Sequence, residues 1–184
     1  KDPSNQPVWE EFDARYRPVL VGFARHLGAS AEDAEDVAQV TLVEFISQYR
    51  AGKYERGRGR LSSWILTIAR YRVADTKRGK ARRAEFRGES AIVDMPRDDE
   101  VQSAWDTSRR RAIIALALQS LREKTKIEEA NIRAFELVAI RGMPAEEAAK
   151  ECGLTVDQVY VAKNRVTAKL RQYVEEMTKA FEEE

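Results

Sequence analysis

Apolar side chains recur every three or four residues along most of this chain, and that spacing constrains the fold more than any other feature. The first run begins at Trp9, continues through Phe12 and Tyr16, and stops at Gly28, where a glycine suits the end of a helix. No stretch of useful length alternates apolar and polar residues, as a half-buried strand would, and no segment repeats. The sequence therefore predicts an all-α protein.

The same spacing predicts where the next helices begin and end. Ser30 and Asp33 form a weak capping box ahead of a second helix, which ends at Gly52. The following segment, KYERGRGRLSS, contains too much glycine and arginine to continue that helix and is predicted to be a loop. Ser62 or Ser63 is then expected to cap a third helix.

The helical pattern lapses after the third helix, and that lapse divides the chain. An acidic stretch containing Pro96 has few apolar residues, and periodicity resumes only at about Val101. Further helices are predicted from there to Leu121 and from Ile127 to Arg141, and Pro144 suits the first turn of another. The sequence therefore predicts two small helical domains, at residues 7–83 and 101–181. A flexible linker, residues 84–100, is predicted to join them.

The net charge of +1 hides a strong segregation of charge along the chain. From Arg56 to Arg87 there are 11 lysines and arginines against 2 carboxylates. From Ala31 to Glu44 there are 5 carboxylates and no basic residue, and from Asp94 to Asp106 there are 5 against 1. The basic block indicates a polyanion such as nucleic acid, and the first acidic segment, which would repel DNA, favours a protein partner.

Aromatic residues interleave with the basic block, as they do in proteins that hold unstacked bases of a single strand. Tyr54, Trp64 and Tyr71 are the members of this set. Trp64 falls in helical register with Ile68 and is therefore assigned to the core, whereas Tyr71 is expected to be exposed.

The segment AAKECGLTVDQVYVAKNRV has the pattern of a helix-turn-helix. Gly153 can turn the backbone without steric cost, and Thr155 is a suitable N-cap for the second helix. The polar and partly basic face of that helix, bearing Gln158, Val161 and Arg165, carries groups that can bond base edges in the major groove. The same pattern also closes many helical bundles, so by itself it leaves both interpretations open.

Several classes of function are disfavoured by residue types that are scarce or badly placed. One cysteine and one histidine cannot form an intramolecular disulfide or a zinc site of the usual Cys/His kind. A carboxylate metal site for phosphoryl chemistry at Glu32, Asp33, Glu35 and Asp36 is disfavoured because neighbouring residues of one helix point in several directions. The prediction is therefore a protein that is not an enzyme and needs no metal or cofactor.

No apolar stretch approaches the roughly 20 residues that cross a bilayer, and no basic segment leads into an apolar one near the start. The expectation is a cytoplasmic protein without membrane insertion.

Two segments resemble a known protein family. AEDAEDVAQVTLVEF followed by WILTIARYRVADTKR is similar to the core of bacterial RNA polymerase sigma factors of the extracytoplasmic-function (ECF) type. IRAFELVAIRGMPAEEAAKECGLTVDQVYVAKNRVTAKLR resembles the C-terminal domain of the same family. The resemblance spans about Phe12 to Lys80 and Ile127 to Val174, in the family's order.

The resemblance implies three binding surfaces. Core RNA polymerase, through its β′ clamp helices and its β subunit, would be contacted by Asp33, Glu35, Asp36, Gln39 and Glu44. The minus-ten promoter element would be contacted by Tyr54, Arg56, Arg58, Arg60, Tyr71, Arg72, Lys77, Arg78, Lys80, Arg82 and Arg83. The minus-thirty-five element would be contacted by Thr155, Gln158, Val161, Asn164, Arg165 and Lys169.

The resemblance therefore implies a sigma factor that directs core polymerase to promoters and initiates transcription by promoter recognition and melting, with an anti-sigma factor as a further partner. The alternative is a stand-alone helix-turn-helix transcriptional regulator whose N-terminal domain serves dimerisation. That alternative predicts strong duplex binding by the isolated chain and a palindromic site.

Overall fold

A computed structural model describes residues 6–55, 57, 59–88 and 96–182 of the chain. Throughout these ranges the regular structure is helical, with seven α-helices, one π-helical turn and no strand, so the all-α prediction is confirmed. The chain divides into two compact units, Lys1–Ala112 and Ile113–Glu183. Of the predicted features, Arg56, Arg58 and linker residues 89–95 lie outside the described residues.

The first unit is built from α1 (Gln6–His26), α2 (Ala31–Arg50), α3 (Leu61–Phe86) and the first half of α4 (Asp98–Lys124). Helix α2 packs against both α1 and α3. Phe45 of α2 stacks on Phe12 of α1 at a centroid distance of 4.8 Å and meets the edge of Trp64 of α3 at 5.3 Å. These ring contacts join the three helices around one aromatic core. Each contact stabilises the fold by about 0.5–1.5 kcal/mol beyond what burial of its apolar area contributes.

The start of α2 follows the sequence prediction, and the start of α3 does not. Ser30 caps α2, and Ser30 and Asp33 exchange side-chain to backbone hydrogen bonds in a complete capping box. The predicted caps of α3 at Ser62 and Ser63 are wrong, because α3 starts at Leu61 and its N-cap residue, Arg60, makes no side-chain cap. Leu61 is buried, and that burial places the helix start ahead of both serines.

Both ends of the predicted linker are helical. Helix α3 continues to Phe86, and α4 already begins at Asp98. The first half of α4 belongs to the first unit, since its Trp105 meets Phe23 of α1 at a centroid distance of 5.8 Å. The division between the units therefore falls after Ala112 instead of before Val101, because burial of Trp105 ties the start of α4 to the α1 core.

The second unit contains the rest of α4, α5 (Glu129–Phe135), a π-helical turn (Glu136–Ile140), α6 (Ala145–Cys152) and α7 (Val156–Glu182). Leu121, Ile132 and Val166 are fully buried in one cluster that joins α4, α5 and α7. Val159 packs with Ala145 and Ala149 in a second cluster, which joins α6 to α7. The predicted helix from Ile127 to Arg141 is thus present, although its second half has the wider π geometry.

Across the described ranges, no helix is long and apolar enough to cross a membrane.

Candidate nucleic-acid interface

An exposed stripe runs along the outer face of α2. Asp36, Gln39, Val40 and Val43 are spaced as one helical face requires, at intervals of three and four residues. The two valines are 47% and 57% exposed, and Asp36 is also exposed. Apolar side chains beside acidic groups on an unpartnered helix face have the chemistry of a protein-binding surface.

Two members of the predicted polymerase-binding set, Glu35 and Gln39, contact a basic residue of α1. Arg17 donates a hydrogen bond of 2.8 Å to Oε1 of Gln39 and lies 4.0 Å from a carboxylate oxygen of Glu35. Arg17 also pairs with Asp13 of its own helix at 2.7 Å, and this pair raises the pKa of the Arg17 guanidinium. The arginine therefore holds the start of the α2 stripe against α1.

The remaining two acidic residues, Asp33 and Glu44, hold cations of α3. Lys80 forms an ion pair with Asp33, and this contact, together with the hydrogen bond from Ser30, lowers the pKa of the Asp33 carboxyl. Farther along α2, Glu44 accepts a hydrogen bond of 2.8 Å from Nε of Arg72. Both carboxylates thus join α2 to α3 in addition to facing solvent in part.

The basic block on α3 is partly neutralised by these contacts and by its own carboxylate. Asp75 pairs with Arg72 at 3.1 Å and with Arg78 at 2.7 Å. Arg70 pairs with Asp98 of α4 at 2.6 Å. By contrast, Arg60, Arg82 and Arg83 are exposed, and none forms an ion pair with another described residue. Lys77 is partly buried beside the start of α4.

The three predicted aromatic residues have different environments. Tyr54 is stacked between Tyr49 and Trp64, at centroid distances of 5.9 and 5.4 Å, and its hydroxyl donates to the Gly59 carbonyl at 3.4 Å. Trp64 is half-buried through its contacts with Tyr54 and Phe45. Tyr71 is 61% exposed on α3, as the sequence predicts. Tyr71 is therefore the member of this set whose ring is available to a base.

A sharp turn in the second unit joins α6 to α7. Gly153 has a φ of 66° in the left-handed region, which ends α6 and which glycine adopts without strain. Thr155 and Gln158 then form a reciprocal cap, with distances of 2.8 Å from the Thr155 amide to Oε1 of Gln158 and 3.2 Å from the Gln158 amide to the Thr155 hydroxyl. Gly153 and Thr155 therefore have the roles that the sequence predicts.

The two faces of α7 differ as a groove-reading helix requires. Val159, Ala162 and Val166 are buried against the second unit. The outward residues are the predicted set Gln158, Val161, Asn164, Arg165 and Lys169, joined by Tyr160. Lys169 also donates to Gln172 at 3.0 Å and lies 5.5 Å above the ring of Tyr173. The free face thus offers amide, guanidinium and apolar groups, the chemistry that reads base edges.

Sequence reasoning missed several exposed apolar residues. Val40, Val43, Phe86 and Tyr160 have at least 47% of their surface exposed. For Val40 and Val43 a signal was present, since they share helical spacing with Asp36 and Gln39 and cannot face the core together with Ala38 and Leu42. For Phe86 the signal was a lone aromatic residue among arginines at the end of the basic block.

Within the described ranges, no group of three His, Cys, Asp or Glu residues could hold a metal ion. Cys152, the last residue of α6, is half-buried, and burial and the neighbouring Glu151 raise the pKa of its thiol.

The first unit has the helical architecture and charge pattern of a module that binds both a protein and a nucleic acid, and comparison with known families agrees with that class. Residues 12–83 match the protein family described as sigma-70 region 2. The match covers most of α1, all of α2 and nearly all of α3, which is less than half of the chain. It supports a sigma-70 family factor with a role in promoter recognition and transcription initiation. Among curated proteins, no sequence matches the chain significantly.

Proposed function

We propose that this protein is a sigma factor of the ECF type that directs core RNA polymerase to specific promoters and initiates transcription there. The observation that carries the proposal is the order of two features in one chain. A segment matching sigma-70 region 2 covers α1 to α3, and a helix-turn-helix with an open outer face on α7 follows in the second unit.

The outer face of α2 is proposed to bind the β′ clamp helices of the polymerase. Asp36, Val40 and Val43 supply an exposed stripe that combines charge with apolar area, as protein interfaces do. Asp33, Glu35, Gln39 and Glu44 are proposed to flank this contact, although each is also held by Arg17 or by a cation of α3. Of the predicted polymerase contacts, Asp36 is therefore the residue most open to a partner.

The outer surface of α3 and the loop before it are proposed to contact the minus-ten element and to assist melting. Arg60, Arg82 and Arg83 are open to phosphates, and Tyr71 offers an exposed ring to an unstacked base. Arg72, Lys77, Arg78 and Lys80 are proposed to reinforce this contact once DNA phosphates compete with their present neighbours. Tyr54, whose ring stacks on Trp64, is proposed to hold the start of this loop against α3.

Helix α7 is proposed to read the minus-thirty-five element in the major groove, with the residues of its outward face. Arg165 is exposed and can form two hydrogen bonds to a guanine, while Gln158 can bond adenine and Val161 can contact a thymine methyl group. As a sigma factor the protein would act in the cytoplasm as a binding subunit, without a catalytic site of its own.

Transcription in a purified system tests the proposal. Core RNA polymerase is combined with the full chain and a library of promoter fragments, and transcripts whose start depends on the added chain are expected. A gel mobility assay with labelled duplexes, run with and without polymerase, distinguishes a sigma factor from a stand-alone regulator. Tight binding by the isolated chain to a palindromic site, with no dependent transcript, would overturn the proposal in favour of the regulator.

The variant Asp36→Arg tests the polymerase surface. Reversal of the exposed charge at the N-terminal end of the α2 stripe is expected to weaken association with core polymerase at least tenfold, while the circular dichroism spectrum and the melting temperature stay unchanged. Glu123→Arg, which reverses an exposed carboxylate on α4 by the same amount, is the matched control. Equal association of both variants with polymerase would count against this surface.

A further inference from the structure

The last turn of α3 carries the most exposed large apolar side chain of the described residues. Phe86 is 95% exposed, and it lies beyond the segment that matches sigma-70 region 2, which ends at residue 83. A phenylalanine ring left in water forgoes the free energy that burial of its apolar surface would supply. Its surroundings therefore decide whether this exposure has a use.

Arginines surround Phe86 on the same side of the helix. Arg82 and Arg83 precede it by four and three residues, so their side chains neighbour the ring. Neither forms an ion pair with another described residue. Together with Gly79 and Arg87 they line a shallow concavity of about 430 Å³ around Phe86. Glu85, the residue just before Phe86, points about 100° away from the ring around the helix axis.

Gly79 leaves room about two helical turns before the ring. A side chain there would meet no other described atom within 4 Å, so the helix surface beside Phe86 is a notch bordered by guanidinium groups. Ala81, on the opposite side of the helix, is buried. The notch therefore faces away from the protein and can receive a flat group.

The same face of α3 also bears Tyr71. Fifteen residues separate Tyr71 from Phe86, which places the two rings about 22 Å apart along the helix and within about 60° of each other around its axis. Arg78 and Arg82 lie between them, and Asp75, also on this face, is already engaged by Arg72 and Arg78. This face thus alternates rings and cations, the arrangement that follows a single nucleic-acid strand.

We propose that the end of α3 is an additional contact for single-stranded DNA, in which an unstacked base stacks on Phe86 while Arg82 and Arg83 bind the flanking phosphates. Charge selects this occupant, because three arginines around one ring favour a polyanion over an apolar peptide. An unpaired base is required, because bases inside a duplex are already stacked on each other. The inference rests on the proposed DNA binding by α3 and extends it past the matched segment.

Fluorescence anisotropy of the full chain tests the contact, using a short labelled single strand, the same strand made of abasic nucleotides, and the corresponding duplex. Phe86→Leu keeps an apolar side chain but removes the ring, so binding of the intact strand is expected to fall about 5- to 150-fold. Phe86→Trp is expected to bind normally, and its fluorescence to be quenched by the intact strand only. Arg82→Ala, which removes a proposed phosphate contact, is expected to weaken binding of the intact and the abasic strand alike, and Arg111→Ala, which removes an exposed cation of α4, is its matched control and should change little.

Binding of F86L as tight as that of the unaltered chain overturns the inference, and so does an equal loss on the abasic strand, which would indicate a role in the protein's own structure. Preference for the duplex, or no binding of the single strand by the full chain, overturns it as well. Transcription with core polymerase keeps the two proposals apart. Promoter-dependent transcripts from F86L at the unaltered level, with unaltered strand binding, would leave the sigma-factor proposal standing while this contact fails.

Discussion

Thr41 shows how single residues on α2 serve purposes that helical spacing does not reveal. It is fully buried among apolar side chains of the first unit, and no described residue accepts or donates a hydrogen bond at its hydroxyl. An unsatisfied buried hydroxyl costs about 1–3 kcal/mol of folding free energy. Helical spacing with Val37 and Phe45 puts Thr41 on the inner face of α2, whereas the absence of a partner for its hydroxyl depends on neighbours from other helices.

Thr41→Val is expected to raise the free energy of unfolding by about 1–2 kcal/mol, because it keeps the side-chain shape and removes the unpaired hydroxyl. Chemical denaturation followed by circular dichroism measures this change. Thr67→Val is the control, since the Thr67 hydroxyl is exposed and donates to the Ser63 carbonyl at 2.9 Å. A destabilised T41V variant would mean that the hydroxyl has a partner in solution.

Arg165 is the residue on which sequence choice by α7 is expected to depend most. Arg165→Ala should cost about 1–3 kcal/mol of binding free energy at the upstream element and relax the base preference at one position. Selection of binding sites from a randomised duplex library by the assembled polymerase complex measures both effects. A uniform loss of affinity across all sequences would instead identify Arg165 as a phosphate contact.

At the scale of elements, local signals predicted the turn between α6 and α7 better than they predicted where α3 starts. The turn requires a residue with left-handed backbone conformation, and a glycine at position 153 indicates this in the sequence. The start of α3 depends on burial of Leu61, and serines that make good caps lie one and two residues inside the helix instead. Helix α1 even continues through Pro18, because its apolar stripe from Trp9 to Phe23 is buried.

Gly153→Ala is expected to lower the free energy of unfolding by about 1–2 kcal/mol, since a Cβ is unfavourable at a φ of 66°. Gly153→Asn should be milder, because asparagine tolerates this conformation. Thermal unfolding measures the stability of both variants. If the turn sets the angle of α7, affinity for the minus-thirty-five element should decrease in the same order as stability. Equal stability of G153A and the unaltered chain would show that the turn relaxes.

The ion pair between Lys80 and Asp33 joins two elements and makes their packing sensitive to acid. Because the pKa of Asp33 is lowered in the folded chain, its contribution to stability is complete above its ordinary value of 3.8 and is lost as the pH falls through the lowered value. Asp33→Asn should therefore cost about 1 kcal/mol or less at neutral pH and flatten the acid limb of the stability profile. Chemical denaturation at several pH values measures the free energy of unfolding of D33N and of the unaltered chain. Parallel pH profiles for the two would contradict the prediction.

At the scale of the whole molecule, ion pairs between carboxylates of α2 and cations of α3 decide how much of the basic block stays open. The sequence showed a basic block between acidic segments but could not show which cations remain open. Pairing joins residues 28 and 47 positions apart, and such distances in sequence carry no local signal. Which cations stay unpaired is therefore decided by the packing of α2 on α3.

The double variant Asp33→Asn with Glu44→Gln frees Lys80 and leaves Arg72 with Asp75 as its one charged partner among the described residues, without changing any predicted DNA contact. Nonspecific DNA binding by the chain is expected to tighten, and the slope of its logarithmic salt dependence to steepen by roughly one to two. Anisotropy titrations over a range of salt concentrations measure the slope. Glu123→Gln with Glu176→Gln raises the net charge equally at exposed sites elsewhere and serves as the control. Equal slopes for the two double variants would show that the released cations do not reach phosphates.

The sequence by itself determined the helices and the turn at Gly153, because apolar periodicity and left-handed glycine act within a few residues of backbone. It also indicated the segments from which binding residues would come, because charge and side-chain chemistry can be counted along the chain. Only the tertiary structure decided that the start of α4 packs with the first unit and that Asp36, Arg82, Arg83 and Phe86 stay open while Asp33, Glu44, Arg72 and Lys80 are paired. Burial and ion pairing join residues that are distant in sequence, so they exist only once the helices have packed.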